Sequence, residues 1–207
     1  MKYREEYNPL VIVGEWNKAI FVPKWVQEYI FQDPSLLVQY PIQDLSRASF
    51  KYTSDNISFN IFDQRLQFTA SHYTDDNLVK IGETALSICR KLPHTPIVSF
   101  GINHVFECNL IELKGNNIFD NKISNLLKEN GIEDLEATQI NHTKKFADHS
   151  LCFRIKKIGE TVIFDFNYDY PVESIEEFIS KFDSNYIVNK KKESLHIIKL
   201  AFGLDLE

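Results

Sequence analysis

The sequence predicts an α+β fold built from two similar halves, residues 1–97 and 98–207, fused into one globular unit. Several short stretches alternate apolar and polar residues, as strands with one buried face do. Longer stretches instead repeat apolar residues at helical spacing. Both halves show the order strand, helix, three strands and long helix. We therefore expect antiparallel strands in one continuous, curved sheet, with the long helices packed on one face.

In the first half, the apolar stretch 10–21 predicts a strand, and a helix is expected directly after it. Pro23 suits the first turn of this helix, where its missing N–H costs little. Residues 32–49 contain two prolines and no sustained period, which predicts an irregular connection. Three short alternating runs then predict an antiparallel meander, at 49–54, 57–63 and 65–71.

A long helix is predicted after this meander, beginning after Thr74 and ending before Pro93. Asp75 and Asp76 fall in its first turn, where the helix dipole favours acidic side chains. The apolar residues of this stretch recur on one stripe: Leu78, Ile81, Ala85, Ile88, Cys89 and Leu92. The first half therefore ends in an amphipathic helix.

The second half opens with a long predicted strand at 98–108, and a helix ending at Gly131 is expected next. Ser174 and Glu177 form a capping-box pair, which predicts the start of another helix. A last helical segment is expected around 193–202. The three strands between these helices are predicted at 137–146, 150–159 and 160–171.

Two short sequence matches between the halves suggest that they arose by duplication. Val13-Gly14 matches Phe100-Gly101 at an offset of 87, and Phe59-x-Ile61 matches Phe153-x-Ile155 at an offset of 94. A chance match of short β patterns is the alternative explanation.

The tandem order of elements resembles the duplicated TATA-binding-protein-like fold, in which two halves form one curved sheet with helices behind it. The resemblance is one of topology over most of the chain, without a shared signature motif. The stretches "VSFGINHVFE" and "LHIIKLAFGLDL" are also similar to uncharacterised bacterial proteins with two halves. Neither resemblance implies a particular activity, because a fold alone does not fix function.

The charge balance argues against nucleic acid as a partner. The net charge is −6, and acidic residues outnumber basic ones in both halves, whereas nucleic acids are held by clustered Lys and Arg. Several basic residues do lie on adjacent predicted strands: Lys144, Lys145, Arg154, Lys156 and Lys157. We interpret them as a solvated sheet face, with a basic rim for single-stranded nucleic acid as the alternative.

The composition and the cysteine usage predict a cytoplasmic protein, and the resemblance to bacterial proteins implies that it is bacterial. Hydrophobic residues make up 43% of the chain, which is typical of a globular core. The three cysteines have no CxxC spacing and are predicted to be reduced core residues. No stretch has the length and apolarity of a signal peptide or membrane span. Richness in Asn, Ile, Lys and Phe suggests an AT-rich genome.

The best match to a catalytic motif is Glu112-x-Lys114 after a predicted strand. It matches the second half of the PD-(D/E)xK nuclease pattern, in which carboxylates hold a divalent metal. The aspartate expected on the preceding strand is missing, and Glu107 is the substitute. This makes a metal-dependent hydrolase or nuclease the alternative function.

Three oxygen-bearing side chains, Asp165, Asn167 and Asp169, match the first positions of an EF-hand loop. The sixth position, normally Gly, is Tyr170. We therefore predict a strand whose polar face carries these side chains, and they are weak candidates for binding a cation.

His104 is predicted on the apolar face of the strand 98–108, as a hydrogen-bonded core residue. Binding of a ligand by His104, together with Asn103 next to it, is the alternative. Motifs for nucleophilic catalysis and for nucleotide phosphates are absent from the sequence, so we expect no cofactor. The preferred function is a non-enzymatic binding or protein-interaction module that uses the open sheet face. Its partner would be a protein, a small molecule or a second copy of the chain.

Overall fold

A ten-stranded antiparallel sheet forms the centre of the computed structural model, which describes residues 1–4, 7–40, 50–113, 119, 129 and 137–206. The strands are β1 (Lys2–Tyr3), β2 (Leu10–Gly14), β3 (Leu37–Gln39), β4 (Lys51–Ser54), β5 (Ile57–Phe62), β6 (Arg65–Ala70), β7 (Ile97–Asn109), β8 (Ala137–Lys145), β9 (Ser150–Ile158) and β10 (Thr161–Pro171). Their order is β3-β4-β5-β6-β2-β7-β10-β9-β8, and β1 also pairs with β7. The predicted α+β class and the single continuous sheet are confirmed.

The two halves of the chain meet where β2 pairs with β7 at the middle of the sheet. On each side of this pair the pairing is similar: the central strand of the half pairs with the last strand of the meander that follows it, β2 with β6 and β7 with β10. Duplication of the halves stays a prediction, and one of the two sequence matches between them is not consistent with it. Ile12 lies opposite Phe100, so Val13 and Phe100 point to opposite faces, and an offset of 87 cannot superpose them.

Four helices accompany the sheet in the described part of the chain. They are α1 (Pro23–Val26), α2 (Asp75–Lys91), α3 (Ile175–Lys181) and α4 (Tyr186–Phe202). The ring contacts between helices and strands lie on one face of the sheet, which we call the helix face. Phe100, for example, packs its ring against Phe178 and Phe182, and Phe164 packs against Phe202. The predicted one-sided cover is therefore observed.

Local sequence signals explain where two of these helices begin. The hydroxyl of Thr74 accepts a hydrogen bond from the backbone N–H of Asn77 at the start of α2. Ser174 accepts one from the N–H of Glu177 at the start of α3, while the Glu177 carboxylate accepts from the N–H of Glu173. Both arrangements satisfy backbone donors that the first helical turn leaves unpaired.

Several element bounds differ from the predictions. The first predicted strand ends at Gly14, at a bulge where the pairing register shifts, and α1 continues as a π-helical turn at Gln27–Phe31. A short strand, β3, interrupts the predicted irregular connection because it pairs with β4. The helix α4 begins at Tyr186, before the predicted segment. The helix predicted to end at Gly131 lies outside the described residues except at Phe119 and Glu129, so its prediction is not tested.

Within the described residues, no helix combines the length and apolarity needed to cross a membrane.

Candidate binding surface

The side of the sheet opposite the helices, here called the open face, is defined by the alternation of side chains along the strands. In the central strands it carries Gly101, Asn103, Val105 and Glu107 of β7. The neighbouring positions of β10 are Asp169, Asn167, Asp165 and Ile163. The predicted polar face of β10 is therefore confirmed.

The open face is polar and carries more positive than negative charge. Its uncharged side chains are mostly Ser, Thr, Asn and Gln. Among the described strand residues, three carboxylates (Glu107, Asp165 and Asp169) face this side together with six cations (Lys2, Lys51, Arg65, Lys145, Arg154 and Lys156). The whole chain has a net charge of −6, so positive charge is concentrated on this face relative to the rest of the chain.

Asn103 and Asn167 form a hydrogen-bonded pair near the middle of the open face. The Asn167 Nδ2 donates to Asn103 Oδ1 at 2.6 Å, and the Asn103 Nδ2 donates to the backbone carbonyl of Asn8 at 2.9 Å. The two residues lie directly opposite each other on β10 and β7. This pair connects two predicted candidate sets, the ligand site at Asn103 and the cation site at Asn167.

Asp165 and Glu107 each contact two basic side chains. Asp165 Oδ2 lies 3.0 Å from Arg154 Nη2 and 3.9 Å from Lys156 Nζ. Glu107 contacts Lys2 Nζ at 3.0 Å and Arg4 Nε at 3.3 Å. The two carboxylates are diagonal neighbours, because Asp165 faces Val105 and Glu107 faces Ile163. We call Arg154, Lys156 and Asp165 the cation cluster.

In the predicted cation-binding site (Asp165, Asn167 and Asp169), two of the three side chains already have partners within the protein. Asp165 is held by Arg154 and Lys156, and Asn167 is bonded to Asn103. Asp169 is exposed. Among the residues that the structure describes, no group of three or more His, Cys, Asp or Glu side chains is placed to hold a metal ion.

The predicted ExK residues fall at one end of β7. Glu107 and Glu112 line a cavity of about 290 Å³ together with Met1, Lys2 and Thr161. Glu112 accepts hydrogen bonds from the Asn109 N–H at 2.7 Å and from the Met1 ammonium at 3.0 Å. The Asn109 bond, followed by that of Met1, lowers the pKa of Glu112. Lys114 lies outside the described residues, so the metal-dependent site stays a prediction.

His104 faces the helices, as predicted, and does not reach the open face. Its Nδ1 shares a hydrogen bond with the Tyr73 hydroxyl. The pKa of His104 is lowered to about 3, chiefly by burial and then by the positive charge of Lys191, while the backbone of Ile187 acts in the opposite direction. Lys191 itself is held by Asp75 at 2.7 Å. Neutral at ordinary pH, His104 belongs to the packing between sheet and helices.

The sequence reasoning missed the contribution of the amino-terminal residues. Lys2 reaches Glu107 because β1 pairs with β7, with Lys2 directly opposite Glu107. A two-residue strand is too short for a period to be recognised. The charge alternation Lys2-x-Arg4 was the available signal.

Comparison with protein-family models, with curated proteins and with solved structures finds no match for this chain.

Proposed function

We propose that the protein is a non-enzymatic binding module whose open sheet face takes a polar partner. The observation that carries this proposal is the concentration of hydrogen-bonding side chains and of excess positive charge on that face. A wide sheet surface with helices on the other side offers many such groups to one partner at once. Complementary charge then guides and orients the encounter.

Two shallow cavities on the open face offer concave sites for a partner. One contains Glu107 and Glu112, at the end of β7. The other, of about 300 Å³, lies over the meander of the first half and is lined by Lys51, Thr53 and Ser58 among others. Both are bordered by polar side chains, which suits a partner that makes hydrogen bonds.

Cys152 provides a reporter on the open face, where it lies opposite Asn167. The test compares the rate of alkylation of Cys152 by N-ethylmaleimide in the purified protein and in an extract of the cells that naturally make it. A bound partner excludes water and reagent from the surface it covers, so we expect alkylation in the extract to be at least about fivefold slower.

The matched control carries Cys152→Ser and Ala201→Cys, which moves the reporter to an exposed position on α4. Its alkylation rate should be the same in the purified protein and in the extract. Equal rates at Cys152 in the two samples, or equal slowing at both reporter positions, would contradict binding through the open face.

A further inference from the structure

Resting on the proposed function, we propose that the cation cluster docks an acidic segment of a partner protein, whose carboxylates pair with Arg154 and Lys156. These two basic side chains come from β9 and flank Asp165 of β10. The cluster carries two positive charges and one negative charge, so it has the opposite sign to the segment it would bind.

The cluster presents its cations outward and keeps its carboxylate inside. The side chains of Arg154 and Lys156 are 36% and 31% exposed, whereas that of Asp165 is 8% exposed. A guanidinium has five N–H donors, and Arg154 makes its ion pair with Asp165 through Nη2. Arg154 therefore keeps donors for a second carboxylate, and Asp165 holds it in place beforehand, which lowers the entropy lost on binding.

Amide side chains lie directly beside both cations on β8. Asn141 is opposite Arg154 and Gln139 is opposite Lys156, and the Gln139 Nε2 donates to Asn141 Oδ1 at 2.7 Å. On the other side of Asp165, the pair Asn103 and Asn167 continues the polar surface along β7 and β10. Such amides can donate to the carboxylates and accept from the backbone N–H groups of a polypeptide.

The same surface is poorly suited to nucleic acid. Phe62 is the aromatic residue that the described strands place on the open face, and the Arg65 guanidinium lies over its ring, 4.8 Å from the centroid. A stacking platform for bases is therefore missing from these strands. A long polyanion would also meet the net negative charge of the chain, while a short acidic segment feels mainly charges within about 10 Å.

The experiment measures the binding of fluorescein-labelled peptides by fluorescence anisotropy at low salt. The acidic probe is a short peptide of alternating Glu and Gly, and the neutral probe replaces each Glu with Gln. A single-stranded oligothymidine of equal charge is the third probe. We expect the acidic peptide to bind, the neutral peptide not to bind, the oligothymidine to bind more weakly, and added salt to weaken the acidic complex.

The decisive variant removes the whole cluster, Arg154→Gln, Lys156→Gln and Asp165→Asn together. It leaves no buried carboxylate without a cation, so folding should be retained. Lys192→Gln is the matched control, because it changes the net charge by the same amount at an exposed position of α4, away from the open face. We expect the triple variant to bind the acidic peptide about tenfold more weakly, and the control within about twofold of the wild type.

Equal weakening in both variants would overturn the proposal, because net charge alone would then explain binding. Tighter binding of oligothymidine than of the acidic peptide would overturn it in favour of nucleic acid. If no acidic peptide binds while Cys152 stays protected in the extract, this inference is wrong and the proposed function stands. If Cys152 is also unprotected, both are wrong.

Discussion

The hydroxyl of Tyr73 is hydrogen-bonded to Nδ1 of His104 between the sheet and the helices. Tyr73 precedes α2, the last helix of the first half, and His104 lies on β7, so the bond joins the two halves of the chain. Burial disfavours the charged form of His104 and is the main reason for its lowered pKa.

His104 should make the protein less stable in mild acid. Its pKa is about 3 in the folded protein and ordinary in the unfolded chain, so the unfolded chain binds the proton first as the pH falls below about 6.5. Between pH 7 and pH 5 this costs about 2 kcal/mol of the free energy of unfolding. His104→Asn, which keeps an acceptor near Tyr73, should lose correspondingly less stability over this range in urea unfolding.

The control for this pH dependence is His196→Asn, at an exposed position of α4. Its stability should follow the wild-type pH dependence. If the free energy of unfolding of the wild type and of His104→Asn depended on pH in the same way, the prediction for His104 would be wrong.

The amide pair on the open face should be coupled energetically. Asn167→Ala removes one side-chain hydrogen bond, and Asn103→Ala removes that bond and the one to Asn8. We expect losses of about 1 and about 2 kcal/mol in the free energy of unfolding, with a coupling of about 1 kcal/mol in the double-mutant cycle. Urea titration of the four proteins measures these values. Strictly additive losses would mean that the two amides do not interact.

Gly82 should be intolerant of a side chain although it lies within α2. A Cβ at this position would lie 2.7 Å from the Ser184 carbonyl oxygen and 2.8 Å from the Ser184 Cα. Alanine favours helices over glycine by about 1 kcal/mol, but the clash with backbone should outweigh this gain. We expect Gly82→Ala to lower the free energy of unfolding by about 1–3 kcal/mol.

The control for Gly82 is Glu83→Ala, at an exposed position one residue later. Its stability should stay within about 0.5 kcal/mol of the wild type. A stabilised Gly82→Ala protein in thermal or urea unfolding would show that α2 and the loop before α4 are not in close contact.

Of the three thiols, only that of Cys152 should react rapidly in the native protein. Cys89 and Cys108 are buried, and burial raises the pKa of Cys89 to about 12 and that of Cys108 to about 11. The thiolate is the reactive form, so both are protected at pH 8. Titration with Ellman's reagent should give one fast thiol in the folded protein, none in Cys152→Ser and three in wild-type protein unfolded by denaturant.

Much of the local structure could be predicted from the sequence. The alternation from Val98 to Cys108 correctly placed His104 among apolar neighbours, and the spacing of Asp165, Asn167 and Asp169 correctly placed all three on one polar face. The capping pair Ser174 and Glu177 correctly marked the start of α3. These signals work because each depends on residues a few positions apart.

The candidate surface could not be predicted in the same way. The sequence separately indicated Glu107 and Asp165, in two unrelated sites, and the sheet places them diagonally on one face. It also showed Arg154 and Lys156 as basic residues of an acidic chain, without showing that they share Asp165.

The sequence by itself determined most of the elements, though not β1 and β3, and the buried face of the longer strands, because side-chain alternation is a property of the local backbone. The tertiary structure alone decided that cations outnumber carboxylates on the open face, because strand order and register bring together residues far apart in the chain.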